Sequence, residues 1–217
     1  MTSTIRASLF GLSLLLTSCS HGSGQGAATT PEGQGGAAGQ QGAAAGKAGG
    51  GGTADPLASF ALVQTVLQSP RCVNCHPVGD APMQGDESAV HNQNVLRGPQ
   101  GLGMAGQECA SCHGKANLPA SYGLHQPPGV ATGWRLPPPE HKLVFQGMSA
   151  HDLCEQLKDP QRNGGKDMAA LTHHMAEDPL TLWGWSPGFG RAPVQVPHAE
   201  FVAAFKTWAD KGAPCPQ

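Results

Sequence analysis

Two copies of one short pattern constrain this chain more than anything else in it. Arg71-Cys72-Val73-Asn74-Cys75-His76 and Glu108-Cys109-Ala110-Ser111-Cys112-His113 both read C-x-x-C-H. That spacing is the attachment signature of a c-type haem. Two thiols must reach the two vinyl groups of one porphyrin, and two intervening residues on a tight turn give that reach. The histidine after the second cysteine then presents its imidazole to the iron as the proximal ligand. Three other chemistries use paired cysteines: a four-cysteine zinc site with a long spacer, a thioredoxin-like dithiol, and plain disulfides. A zinc site leaves His76 and His113 without a role. A thioredoxin-like dithiol needs a βαβ context, which this sequence does not suggest. The expectation is two covalent haems, held by Cys72, Cys75, Cys109 and Cys112, with His76 and His113 on the irons.

The composition suits a chain that folds around such groups. Only 13% of it is charged and 5% aromatic, against 31 Gly and 19 Pro. That is thin material for a large protein core, but two porphyrins would each supply an apolar disc for short helices and loops to wrap. The expected fold is mainly α, with long irregular Gly/Pro-rich loops and few or no strands. A net charge of −2 without any basic tract gives no footing for nucleic acid.

The first stretch reads as an export signal. Arg6 is its positive end and Leu9 to Leu16 its apolar run, too short to span a bilayer. Leu16-Thr17-Ser18-Cys19 resembles the bacterial lipobox, which implies a lipoprotein signal peptide over 1–18 and a lipid on Cys19. An ordinary signal peptide with an incidental Cys19 is the other reading. Ser20, rather than Asp, after the cysteine suggests the outer membrane as the destination. Residues 20–54 are almost wholly Gly, Ala, Gln, Ser and Thr, a flexible tether from Cys19 with a mean span of roughly 30–35 Å. A folded domain is expected over 55–217. Export and haem attachment agree, since bacterial haem c is attached outside the cytoplasm, in an oxidising compartment. With Cys19 given to lipid and four cysteines to haem, Cys154 and Cys215 remain, either as one disulfide closing a long loop or as two separate buried thiols.

Helix signals are strong at both ends of the domain. Asp55-Pro56 is a helix start, followed by the apolar face Leu57, Phe60, Ala61, Val63 and Leu67, with Pro70 as the stop. This helix is expected against the first porphyrin. Residues 77–108 and 114–148 read as loops, in which Trp134 and Tyr122 could line a porphyrin edge. Ser149 with Asp152 resembles a capping box for a helix ending at Asp159-Pro160. Asp167 caps a helix over 168–177. On it Met168, Leu171 and Met175 form one stripe; His174 flanks that stripe and His173 points nearly opposite. A last helix runs from about His198 to Lys211, with Phe201, Phe205 and Trp208 on one face and Gly212 as its end. No stretch reads convincingly as a strand.

The sixth iron ligands are chosen from the remaining His and Met. His91 is the only histidine in the loop between the motifs, and His174 is the inward histidine of its helix; these two are the expected distal ligands. Met148, His125 and His141 stand in reserve. Sequence alone does not assign either distal histidine to a particular haem.

Several stretches resemble a group of small exported dihaem c-type cytochromes, known as isoquinoline 1-oxidoreductase subunit-like proteins. They are Arg71-Cys-Val-Asn-Cys-His-Pro-Val-Gly-Asp80 with Gln84-Gly85-Asp86, Cys109-x-x-Cys-His113, and Leu153-Cys-x-x-Leu-x-Asp-Pro160 with Asn163-Gly-Gly165. His174-Met-Ala-Glu-Asp-Pro-Leu180 through Trp183-x-Trp185 and the Trp208-to-Pro216 tail complete the likeness, which covers most of 71–216. It implies electron transfer by haem c, with His91 and His174 as ligands and Cys154 bridged to Cys215. Leu143-Val-Phe-Gln-Gly-Met-Ser149 departs from the pattern, which has Met nearer 143, and this weakens the case for a Met ligand. The family label implies an extracytoplasmic redox partner, a molybdenum hydroxylase; nothing in this chain resembles a molybdopterin or iron–sulfur subunit. The resulting expectation is an electron carrier rather than an enzyme, lipid-anchored on the periplasmic side of a bacterial membrane. A peroxidase-like or ligand-sensing dihaem protein with one open iron, and a haem-free zinc or disulfide module, are the rivals.

Overall fold

Side-chain caps set the start of most helices. In the computed structural model, which describes residues 55–217, α1 (Pro56–Leu67) opens where Asp55 accepts the Leu57 N–H at 3.0 Å. Ser149 caps α3 (Ala150–Lys158) by accepting the Asp152 N–H, and Asp167 caps α5 (Met168–Glu177) by accepting the Ala170 N–H. Asp159-Pro160 and Asp178-Pro179 each end one helix and begin the next, giving the single turns α4 (Pro160–Asn163) and α6 (Pro179–Leu182). Both aspartates accept the N–H two residues on, and proline at the first position has no N–H to leave unpaired. α2 (Pro70–Val73) is a further single turn, and α7 (His198–Asp210) closes the fold. The described chain is mainly helical. The expectations for the signal peptide, lipidated Cys19 and the tether concern residues outside those described.

The apolar stripe of α1 is rotated from the expected one. Phe60, Val63, Val66 and Leu67 are buried, whereas Leu57 and Ala61 face outward. These side chains pack against α7, where the Phe60 and Trp208 rings lie tilted by 42° with centroids 4.9 Å apart, and Val73 and Cys72 of the first motif join the same core. Phe201, Phe205 and Trp208 run edge to face along α7, and all three are almost wholly buried. Leu153, Leu157, Leu171 and Met175 complete this core from α3 and α5. Cys154 on α3 is bonded to Cys215, 61 residues on. The bond ties the tail beyond α7 to the core, where the Trp208 indole N–H also donates to the Pro214 carbonyl at 2.9 Å.

Two short hairpins break the loop between α2 and α3, where no strand was expected. β1 (Met83–Gln84) pairs antiparallel with β2 (Ala89–Val90), and β3 (Gly103–Met104) with β4 (Gln107–Glu108). Two residues per strand give no alternation to read, so the sequence carried no strand signal. Each hairpin delivers a residue of interest: β2 runs into His91 and β4 into Cys109. Gly101, between them at φ +76°, cannot be replaced cheaply, because a Cβ there would run into the Leu136 carbonyl.

Candidate functional site

The two C-x-x-C-H segments fold as the same turn. The Cys72 carbonyl accepts from Cys75 N at 3.2 Å and His76 N at 3.1 Å; the Cys109 carbonyl accepts from Cys112 N at 3.3 Å and His113 N at 2.9 Å. Residues three and four apart on a helical turn share one side of it. Each motif therefore gathers its two thiols and its imidazole on a common side.

Each motif histidine is fixed in the same way. His76 Nδ1–H donates to the Leu143 carbonyl at 2.6 Å, and His113 Nδ1–H to the Pro128 carbonyl at 2.8 Å. A carbonyl can only accept, so Nδ1 carries the proton and Nε2 keeps its lone pair. That is the tautomer and orientation a metal-ligating imidazole needs. An aromatic ring braces each imidazole: Phe145 lies 4.0 Å from His76 at 18°, and Trp134 lies 4.9 Å from His113 at 3°. Burial pushes the His76 pKa down to about 4 against the opposing hydrogen bond to Leu143, and His174 adds a smaller push downward. His113 is likewise lowered by burial, opposed by the Pro128 carbonyl and assisted by His91. Both rings are therefore neutral near pH 7. Leu143 sits at φ +47°, a costly conformation for a branched side chain; this backbone turn carries the carbonyl that holds His76.

The four motif cysteines remain free thiols, whereas Cys154 and Cys215 are bridged. Burial pushes Cys72 up to about 11 and Cys75 up to about 12, with Cys109 among the smaller influences on Cys75. The first motif's second thiol is thus within electrostatic reach of the second motif's first. Neutral thiols of this kind are unlike the activated thiolate of a redox dithiol. Among the described residues no three His, Cys, Asp or Glu side chains converge on one metal position. Two turns that each offer paired thiols and an oriented imidazole fit a covalent haem. Val78 and Val90, within two residues of His76 and His91, are 61% and 65% exposed and match the apolar faces of such a group.

His91 stands opposite His113. Their ring centroids are 6.3 Å apart, and two imidazoles sharing one metal through nitrogen bonds of about 2 Å stand roughly that far apart. His91 Nδ1–H donates to the Asn92 carbonyl at 2.7 Å, so its Nε2 is also bare. The β1–β2 hairpin holds His91 there: His91 N donates to Pro82 O at 2.9 Å. That hairpin is anchored to the first motif, where Arg71 donates to Gly85 O at 2.6 Å and to Asp86 Oδ1 at 2.7 Å, and Asn74 donates to Gly85 O at 2.9 Å. His174, on α5, is half-buried and within electrostatic reach of His76. Its neighbour His173 has its side chain 71% exposed, against 33% for His174. His174 Nδ1 faces Asp178 Oδ2 at 3.3 Å, and its Nε2 lies 3.5 Å from the Thr181 hydroxyl, at the limit of a hydrogen bond.

His141 donates to the Gln161 carbonyl at 2.7 Å, and Met148 packs against the main core. His125 is exposed, as is Tyr122. Sequence reasoning missed the supports. The carbonyls of Leu143, Pro128 and Asn92 have no side-chain signature, and Phe145 is separated from His76 by a long loop. Asn117 joins the second motif's loop to the Trp183 segment, accepting from the Trp183 indole at 3.0 Å and donating to Ser186 O at 2.9 Å. Trp183 stands edge-on to Trp134 at 4.9 Å and beneath the Arg71 guanidinium at 5.8 Å, linking the surroundings of the two motifs. Arg97, 1% exposed, donates to Pro137 O at 2.5 Å and Gly79 O at 3.1 Å, with Asp80 at 3.5 Å from its Nε.

No family model, curated protein or solved structure matches the chain.

Proposed function

We propose that this protein is an electron-transfer cytochrome carrying two covalently attached c-type haems. Cys72 and Cys75 hold the first and Cys109 and Cys112 the second, with His76 and His113 as proximal ligands. His174 completes the first site and His91 the second. The observation that carries this reading is the His91–His113 pair, two carbonyl-oriented imidazoles at metal-bridging separation. When bound, the iron supplies one-electron chemistry. The chain's part is to hold the imidazoles still. Backbone carbonyls on three of the four histidines and rigid rings behind two of them keep the ligands in place in both oxidation states, which favours fast exchange. The proximity of Cys75 and Cys109 suits transfer between the two haems. In this reading the protein is a member of the isoquinoline 1-oxidoreductase subunit-like cytochromes. It is exported and lipid-anchored through Cys19, and it exchanges electrons with an extracytoplasmic partner such as a molybdenum hydroxylase.

A first site left open to small ligands is the rival, favoured by the contact between His174 Nε2 and Thr181. Protein made with the haem c maturation machinery tests both. Two haems per chain, sharp low-spin bands and no carbon monoxide shift are expected, and His91→Ala and His174→Ala should each convert one haem to high spin. Carbon monoxide binding by the native protein supports the open site, and absence of covalent haem overturns the reading altogether.

A further inference from the structure

The four histidines assigned to iron do not share one kind of support. His76, His113 and His91 each donate Nδ1–H to a neutral backbone carbonyl, at 2.6, 2.8 and 2.7 Å. His174 alone faces a carboxylate, Asp178 Oδ2, at 3.3 Å. We propose that Asp178 is a positioning residue that orients His174 and, through its charge, selectively lowers the reduction potential of the haem bound at Cys72 and Cys75. This inference rests on the bis-histidine reading above.

The geometry of Asp178 is fixed independently of the His174 imidazole. Its Oδ1 accepts the Leu180 N–H at 2.8 Å as the cap of α6, and its own N–H donates to the His174 carbonyl at 3.2 Å. The second oxygen is thereby aimed back at the imidazole one helical turn earlier. The Asp178 side chain is 26% exposed, so the pair is partly shielded from water. An aspartate side chain is an anion near neutral pH. A carboxylate on the outer nitrogen of a ligating imidazole makes that ligand more basic and orients it. A more basic ligand, next to a negative charge, favours the oxidised iron. Arg97, whose charge also reaches His76, acts in the opposite direction on the same haem. The inference therefore concerns the shift produced by Asp178 and not the order of the two potentials.

Asp178→Asn separates charge from structure, because asparagine caps a helix as well as aspartate and still offers an oxygen to Nδ1–H. Asp167→Asn, at the cap of α5, is the matched control with the same change in charge. In haem-loaded full-length protein, redox titration of D178N should raise one potential by about a tenfold change in the oxidised-to-reduced ratio, 59 mV for a one-electron couple. The other potential, and both potentials of D167N, should stay in place, and both haems of D178N should stay low-spin. Two unmoved potentials in D178N, while His174→Ala still makes one haem high-spin, would overturn the inference and leave the bis-histidine reading standing. Equal shifts of both potentials would overturn it as well, by showing a general field effect. If His174→Ala leaves both haems low-spin, the ligand assignment itself falls.

Discussion

Removing the Cys154–Cys215 bond should weaken the fold by about 4 kcal/mol without disturbing the proposed haem sites. The bond joins residues 61 apart in sequence. In the chain-entropy treatment, closing a loop of that length removes about 14 cal/mol/K from the unfolded ensemble, or about 4 kcal/mol at 25 °C. The loop contains α4 to α7, and with them Phe201, Phe205 and Trp208, which pack against α1. Cys154 is fully buried, so the replacement should be Cys154→Ala with Cys215→Ala; a serine hydroxyl would add its own desolvation cost. The lost sulfur leaves a small cavity and adds up to about 1 kcal/mol. Guanidinium unfolding followed by far-ultraviolet circular dichroism measures the difference, and the optical spectrum without denaturant checks the iron sites. Both bridge residues lie outside the two C-x-x-C-H turns and their carbonyl supports, so the native bands should not move. A loss below about 1 kcal/mol would refute the reasoning, since the loop would then have been restricted already in the unfolded chain. A high-spin band in the bridge-free protein would refute the claimed independence of bridge and iron sites.

Two further perturbations probe the frame around the sites. Gly101→Ala forces a Cβ against the Leu136 carbonyl at a positive φ and should cost about 2 kcal/mol or more in the same denaturation assay; a change within about 0.5 kcal/mol would show that the 98–109 turn relaxes freely. His76 is neutral in the fold, with its pKa depressed from 6.5 to about 4. A depressed value means that its contribution is complete above the unfolded value and is lost as pH falls through the folded one. Iron binding as proposed would act in the same sense, because only the neutral imidazole ligates. Stability should be level above pH 6.5 with respect to this group and fall between 6.5 and 4; a rise in stability over that window in an acid titration would contradict a buried neutral His76.

Legibility followed the range of the interaction. The ends of α5 could be read because Asp167 and Pro179 act within one turn of the residues they cap or stop, and the same local rule starts α3 at Ser149. His173 and His174 were separable because about 100° per residue fixes their relative direction once Met168, Leu171 and Met175 define the inner face. The rotation of α1 was missed because Leu57 and Ala61 are as apolar as their neighbours, and only the position of Trp208 on α7 decides which side is covered. The β1–β2 hairpin was invisible for another reason. Its register depends on Arg71 and Asn74 gripping Gly85, a contact across the first motif that leaves no periodic trace.

By itself the sequence determined the chemistry that covalent spacing controls. Two residues between paired thiols and a histidine directly after them specify the same turn twice, whatever surrounds it. Helix ends belong to the same class, since a cap and a proline act on backbone groups a few bonds away. The tertiary structure alone decided the partners of those turns. His91 stands 6.3 Å from His113, in the second motif, although the hairpin that carries it is anchored on the first. Leu143 and Pro128 supply carbonyls from separate loops, and Asp178 gives a charge to one histidine in four. These contacts join segments 14 to 67 residues apart, or turn on which face of a short helix the core covers. No local pattern encodes such pairings, because they follow from how the whole chain closes around its core.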